Sequence, residues 1–182
     1  MAERIRVLYD EAEIRRRVAE LARAVDRDHR GVDELVLVGV LKGSFIFLAD
    51  LARALTVPRR VDFLAVSTYP GETREPGAVR LLMDLRIDIA GRHVLLVEDI
   101  VDTGSTLAYL QALLAARRPA ELRTCVLLRK GARLRHDVPL HYVGFDIPDV
   151  WVVGYGLDFA ERNRCLPYIG VVEPPEASAS PA

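Results

Sequence analysis

Cysteine is nearly absent from this sequence: Cys125 and Cys165 are the only two, far apart and without Cys-x-x-Cys spacing. A disulfide scaffold and a structural zinc site are therefore excluded as organising devices. No stretch approaches the ~18 consecutive apolar residues that a membrane-crossing helix needs. The opening Met1-Ala-Glu-Arg-Ile-Arg6 has no apolar run ahead of a cleavage site, so no signal peptide is expected. An excess of one charge is missing too. Lys and Arg number 25 against 26 Asp and Glu, a net charge of −1, which argues against attachment to nucleic acid through a large unneutralised basic surface. The histidines, His29, His93, His136 and His141, are scattered and mark no metal cluster or triad. The nucleotide P-loop, the dinucleotide fingerprint, the Gly-x-Ser-x-Gly elbow and His-Glu-x-x-His do not occur. A soluble, cytoplasmic protein is the expectation, bound to neither nucleic acid nor membrane.

What is present is 182 residues, 51% of them apolar, enough for one domain at roughly 100–200 residues each. Asp10-Glu-Ala-Glu13 has the form of a capping box, and Ile14, Val18, Leu21 and Val25 follow at helical spacing. Glu34 to Leu41 is a nearly continuous β-branched and leucine run, as in a strand buried on both faces. Gly43 to Leu55 reads as a helix, Val61 to Ser67 and Arg92 to Val101 as strands, and Ser105 to Arg117 as a helix. Leu122 to Leu128, His141 to Phe145 and Trp151 to Tyr155 are expected to be shorter strands. This alternation predicts an α/β domain with a mostly parallel sheet flanked by helices, whose ligands gather at the carboxyl ends of the strands. Thr68 to Ala78 is polar, with two Pro and two Gly, and reads as a mobile lid. Glu173 to Ala182 has no large apolar residue and reads as a disordered tail, leaving 1–172 as the domain.

The informative segment is Val94-Leu-Leu-Val-Glu98-Asp99-Ile-Val-Asp102-Thr103-Gly104-Ser105-Thr106-Leu107. An apolar strand runs into two adjacent carboxylates, then into a Gly/Ser/Thr turn that opens a helix. Such a turn offers consecutive backbone N–H groups, hydroxyls and the positive end of a helix dipole, which suits a phosphate dianion. Adjacent acids at a strand end can hold sugar hydroxyls or the waters of Mg²⁺. In a bare Asp-x-Gly turn, Asp102 would only cap a helix. Two acids closing a buried apolar strand argue for more, because charge there is costly without a partner. Taken singly, Lys42, Lys130, Arg164 and Trp151 carry little weight, although Lys42 follows Val38 to Leu41 directly at a strand end.

This segment resembles the phosphoribosyl pyrophosphate signature of the type I phosphoribosyltransferases, and VEDIVDTGSTL is similar to its form in the hypoxanthine-guanine phosphoribosyltransferases. Further matches keep the family's order over Glu34 to Ile169, five motifs in all. Leu41-Lys42-Gly43 matches the pyrophosphate loop, whose Leu-Lys peptide is cis in the family. Leu128-Arg-Lys130 matches the strand end that presents a lysine to the purine. Val143 to Asp158 matches the purine clamp and a metal-binding aspartate, and Arg162 to Ile169 matches the tail motif whose arginine meets pyrophosphate. Three departures stand out: Thr68 precedes Tyr69 where the family has Ser, Trp151 replaces the usual Phe or Tyr, and Val150 replaces a charged residue. A Trp face still stacks on a base.

The resemblance implies that fold with a small hood built from the chain ends. It also implies Mg²⁺-dependent transfer of 5-phosphoribosyl from its pyrophosphate to N9 of hypoxanthine or guanine, a purine-salvage reaction, in a homodimer or homotetramer. Carried over residue by residue, Leu41, Lys42, Gly43 and Arg164 would meet pyrophosphate, and Asp158 the metal. Glu98 and Asp99 would take the ribose hydroxyls, directly or through metal-bound water. Asp102, Thr103, Gly104, Ser105 and Thr106 would cradle the 5′-phosphate, with Asp102 also the general base. Trp151, Val152 and Lys130 would hold the purine, and Tyr69 would close over it. Two alternatives remain at this point: a regulator that keeps the fold as a sensor, and a sister enzyme for xanthine or another base.

Overall fold

The helix expected after Asp10 begins there. Asp10 Oδ1 accepts from the Glu13 N–H at 2.8 Å, and Glu13 Oε2 accepts from the Asp10 N–H at 2.9 Å. The two side chains thus satisfy backbone donors that a helix start leaves free. From this cap α1 (Glu11–Asp28) runs with Ile14, Val18, Leu21, Ala22 and Val25 buried along one stripe.

The computed structural model describes residues 4–68 and 79–173. Its remaining elements are β1 (Arg4–Tyr9), β2 (Leu35–Leu41), α2 (Phe45–Ala54), β3 (Arg59–Thr68), β4 (Val79–Met83), β5 (His93–Val101), α3 (Ser105–Ala115), β6 (Glu121–Arg129), a 3₁₀ turn (Gly131–Arg133), β7 (Tyr142–Asp146), β8 (Val152–Val153) and β9 (Ile169–Glu173). Six strands form the main sheet in the order β4-β3-β2-β5-β6-β7. β3, β2, β5, β6 and β7 are parallel, and β4 is an antiparallel edge. This is the expected mostly parallel α/β fold.

Strand alternation divides the core into two layers. Leu35, Leu37, Leu95, Val97, Cys125 and Leu127 face α1 and α2. Val36, Val38, Val40, Val94, Leu96 and Val126 face the α3 residues Leu107, Leu110 and Leu114. Strands covered on both faces need apolar side chains at every position, which is why β2 reads as an unbroken run. A three-stranded antiparallel sheet, β1-β9-β8, forms the hood from the two chain ends. Among the described residues no helix is long and apolar enough to cross a membrane.

Several boundaries differ from expectation. Only Val152 and Val153 of the Trp151–Tyr155 segment form a strand, because Gly154 and Tyr155 take positive φ and turn the chain away. β1, β4 and β9 are additional strands. Glu173, expected in the tail, ends β9 opposite Arg4. The rest of that tail and the predicted lid from Tyr69 to Ala78 lie outside the described residues.

Candidate active site

β2 continues through α2 to β3 on one side, whereas β5 continues through α3 to β6 on the other. The connections of adjacent strands β2 and β5 therefore diverge, and a crevice opens beyond their carboxyl ends. Two short segments enter it: Leu41-Lys42-Gly43 after β2, and Asp102 to Thr106 after β5.

The Leu41–Lys42 peptide is cis. A Cβ on Gly43 would lie 1.7 Å from Asp99 Oδ2, so only glycine lets this loop pass the carboxylate. Asp99 is buried, and burial raises its pKa, opposed first by hydrogen bonding to Glu98 and to backbone N–H groups and last by the charge of Arg164. Glu98 is raised well above the ordinary value, by burial first and then by the charge of Asp99. Glu98 as a whole is half-buried, and its Oε2 is buried without a hydrogen-bond partner.

Gly104 opens α3 at φ 85°, and no side chain caps that helix. The Thr103 and Ser105 hydroxyls lie 3.1 Å apart. The turn walls a cavity of about 230 Å³ lined by Glu98, Asp102, Thr103, Gly104 and Thr106 among others. Backbone N–H groups, the Ser105 one donating to Thr103 Oγ1 at 3.4 Å, hydroxyls and a helix N-terminus meet at one small cavity, a combination that suits an anion. A larger cleft of about 560 Å³ lies between α1, α2 and the segment that joins β8 to β9, and none of the crevice residues named above lines it.

At the end of β6 the Lys130 side chain is held under cover, the residue only 7% exposed. Its Nζ donates to Asp149 Oδ1 at 3.3 Å and stands 3.9 Å from Asp102 Oδ2. Trp151 is largely exposed, its indole edge-on to Phe159 with centroids 5.6 Å apart and its Nε1 donating to the Asp158 carbonyl at 3.3 Å. Val152 follows it into the hood sheet. Arg164 Nη2 lies 2.8 Å from Asp158 Oδ1 and 3.2 Å from Glu161 Oε1, while Nη1 donates to the Gly156 carbonyl at 2.9 Å. Lys42 Nζ donates to the other oxygen of Glu161 at 2.9 Å.

The phosphoribosyl transferase domain family matches residues 6–160 of this sequence. The chain belongs to that family. A hypoxanthine-guanine phosphoribosyltransferase of Dictyostelium discoideum is 50% identical over 90% of this chain and 93% of its own length. A hypoxanthine phosphoribosyltransferase of Salmonella typhimurium is 47% identical over 94% and 97%. Among solved structures, a hypoxanthine-guanine phosphoribosyltransferase from Bacillus anthracis, with a HEPES molecule in its active site, superposes with a TM-score of 0.89. It is 42% identical and covers 93% of this chain and 100% of its own. A Trypanosoma cruzi hypoxanthine phosphoribosyl transferase, solved to study how its C-terminal region bears on oligomeric state and activity, gives 0.88 at 45% identity over 92% and 91%.

In this phosphoribosyltransferase the crevice gathers Leu41 to Gly43, Glu98, Asp99 and Asp102 to Thr106, with Lys130 joined to Asp102 and Arg164 to Asp158. Tyr69 lies outside the described residues. Among the described residues, no three His, Cys, Asp or Glu side chains group as a metal cage, so Asp158, Glu98 and Asp99 do not form one. Three residues at the site were not anticipated: Arg133, whose Nη1 donates to both Asp149 oxygens at 3.1 and 3.0 Å, then Asp149 itself and Glu161. Each is a single charged residue without a spacing signal. The only sequence hint is nearness to Lys130, Trp151 and Arg164.

Proposed function

We propose that this chain transfers the 5-phosphoribosyl group of phosphoribosyl pyrophosphate to N9 of hypoxanthine, and of guanine, in purine salvage. The products are inosine or guanosine monophosphate and pyrophosphate. One observation carries the reading: a phosphate-cradling turn and a covered lysine share a carboxylate, Asp102, between them. The turn suits a 5′-phosphate, and Lys130 suits the 6-oxo group of a purine. The relatives at 47–50% identity act under that name.

In this reading Asp102 to Thr106 hold the 5′-phosphate through backbone N–H groups and hydroxyls, and Glu98 and Asp99 accept from the ribose hydroxyls. Trp151 stacks on the base, the Val152 backbone reads its edge, and Lys130 donates to its 6-oxo oxygen. N9 attacks C1 of the ribose as the C1–O bond to pyrophosphate breaks, and Asp102 takes the proton from N7. Positioning and charge stabilisation do most of the work, because the ribose carbon is cation-like in the transition state. Lys42, Arg164 and the Gly43 backbone receive the leaving pyrophosphate, which displaces Glu161 from both cations.

Mg²⁺ belongs to the same proposal. Asp158, Glu98 and Asp99 offer only oxygen donors, and Glu98 Oε2 is a buried acceptor lacking a partner. So few protein ligands fit an ion that keeps waters and substrate oxygens in its shell. Asp158 would hold it, with Glu98 and Asp99 on its waters or on the ribose. When bound it would neutralise charge on the pyrophosphate. A working domain that runs through Glu173, a cytoplasmic setting and a homodimer or homotetramer complete the reading.

The test is an absorbance assay with phosphoribosyl pyrophosphate, Mg²⁺ and five free bases. Hypoxanthine and guanine are expected to turn over and adenine very poorly, since its 6-amino group is chiefly a donor and Lys130 has only donors. Sites that lose such a pairing discriminate by as much as ~10⁴–10⁵-fold. Adenine used within about tenfold of hypoxanthine would sink the 6-oxopurine assignment.

A further inference from the structure

Arg133 stands between two carboxylates. Its Nε lies 2.6 Å from Asp102 Oδ1, and its Nη1 donates to both oxygens of Asp149 at 3.1 and 3.0 Å. Lys130 closes the ring, 3.3 Å from Asp149 Oδ1 and 3.9 Å from Asp102 Oδ2. Two cations and two anions alternate, drawn from the end of β5, the end of β6 and the segment before β8. Asp102 Oδ1 is buried and accepts no hydrogen bond, so its contact with Arg133 is a close ion pair.

We infer that Arg133 is a positioning residue, which fixes the aim of the Asp102 carboxylate by tying it through Asp149 to the framework that holds Lys130. The inference rests on the reading of Asp102 as the acceptor of the purine proton. A guanidinium suits the task, because its Nη1 can donate to Asp149 while its spread charge stays against Asp102 Oδ1. The backbone of the same segment is anchored separately. The Lys130 N–H donates to the Val101 carbonyl at 3.0 Å, and the Arg135 and His136 N–H groups donate to the Thr103 carbonyl at 3.0 and 3.3 Å. Losing the Arg133 side chain therefore frees Asp102 without releasing the turn. The Arg133 side chain is 42% exposed, so its replacement leaves the core intact. Proton transfer depends on geometry, and a displacement of about 1 Å can cost ~10²-fold. A carboxylate that has lost one of two cationic neighbours is expected to lose about tenfold.

The test is a double-mutant cycle in kcat on the full chain, with KM for phosphoribosyl pyrophosphate and Tm measured in parallel. Arg133→Met, which keeps the apolar stem, should lower kcat about tenfold, with that KM within about twofold and Tm little changed. Asp102→Asn should lower kcat by about 10²-fold. The double variant should be no slower than Asp102→Asn alone, since Arg133 acts through that carboxylate. Arg133→Lys keeps the charge but cannot span both carboxylates, and should recover part of the loss. Wild-type kcat in Arg133→Met, or a further tenfold loss on top of Asp102→Asn, would overturn the positioning role. Wild-type kcat in Asp102→Asn would instead overturn the proton-acceptor reading, and the positioning role with it.

Discussion

Glu98 and Asp99 put two carboxyls side by side where burial makes charge expensive. Glu98 holds its proton far above the ordinary 4.5, because burial and the Asp99 charge both disfavour its anion. A carboxyl raised in this way keeps its proton in the folded chain at pH values where the unfolded chain has released it. Stability is therefore lost as pH rises through that window, and the loss persists at neutral pH. With divalent metal chelated, Glu98→Gln should raise Tm at pH 7 at about 2–4 °C per kcal/mol gained, while activity falls. The gain should shrink towards pH 4, where glutamic acid and glutamine are both neutral; a gain equally large there would show that charge is not its source. Lys130 makes the second case at this scale. Lys130→Gln replaces a donor-only group with one that also accepts, so kcat/KM for hypoxanthine should fall and its lead over adenine narrow. An unchanged ratio of the two would place the 6-position elsewhere. Glu98 was legible because it closes an apolar run, and Lys130 only through the resemblance of Leu128-Arg-Lys130 to a family motif. Arg133, Asp149 and Glu161 were not, since they meet their partners only when separate loops converge.

Elements repeat that contrast. The start of α1 was readable to the residue because its cap is local, a contact between Asp10 and Glu13 three positions apart. β2 and β5 were readable because two-sided burial writes itself as an unbroken apolar run. β1, β4 and β9 carry no such run: each is five or six residues long, and all but β9 are mostly exposed or half-buried. They are strands because a neighbour offers hydrogen bonds, which no local pattern announces. The turn after β5 lies between these extremes. Its Gly104 was readable as a glycine that must turn, and its φ of 85° bears that out. Gly104→Ala would impose a side chain on that left-handed backbone, at a cost of about 1–2 kcal/mol, and would pull the α3 N–H groups out of line with the phosphate. KM for phosphoribosyl pyrophosphate should rise about tenfold or more, whereas KM for hypoxanthine should move less. An equal rise in both would mean that the turn serves the whole crevice and not the phosphate alone.

The molecule as a whole assembles its site from two sheets that bury their side chains in different ways. Lys42, Glu98, Asp99, the Asp102–Thr106 turn and Lys130 stand on the six-stranded sheet, while Val152 lies in the hood, with Trp151 just before it and Asp158 and Arg164 between β8 and β9. The purine would thus be held from both sheets, and the 5′-phosphate from one. Loosening the hood should separate the two ligands. Val171 is the residue for this, because it is 6% exposed in β9 and pairs with Val152 on one side and Arg6 on the other. Val171→Ala removes two methyl-sized groups from that sheet, a loss of about 1–2 kcal/mol. If about 1 kcal/mol of it reaches the base site, KM for hypoxanthine should rise about fivefold. Ribose 5-phosphate, held by the turn with Glu98 and Asp99 and so by the main sheet only, should keep its Kd within about twofold, measured by calorimetry on the same protein. Loss of both affinities together would mean that hood and sheet respond as one body, and the division of labour between them would be wrong.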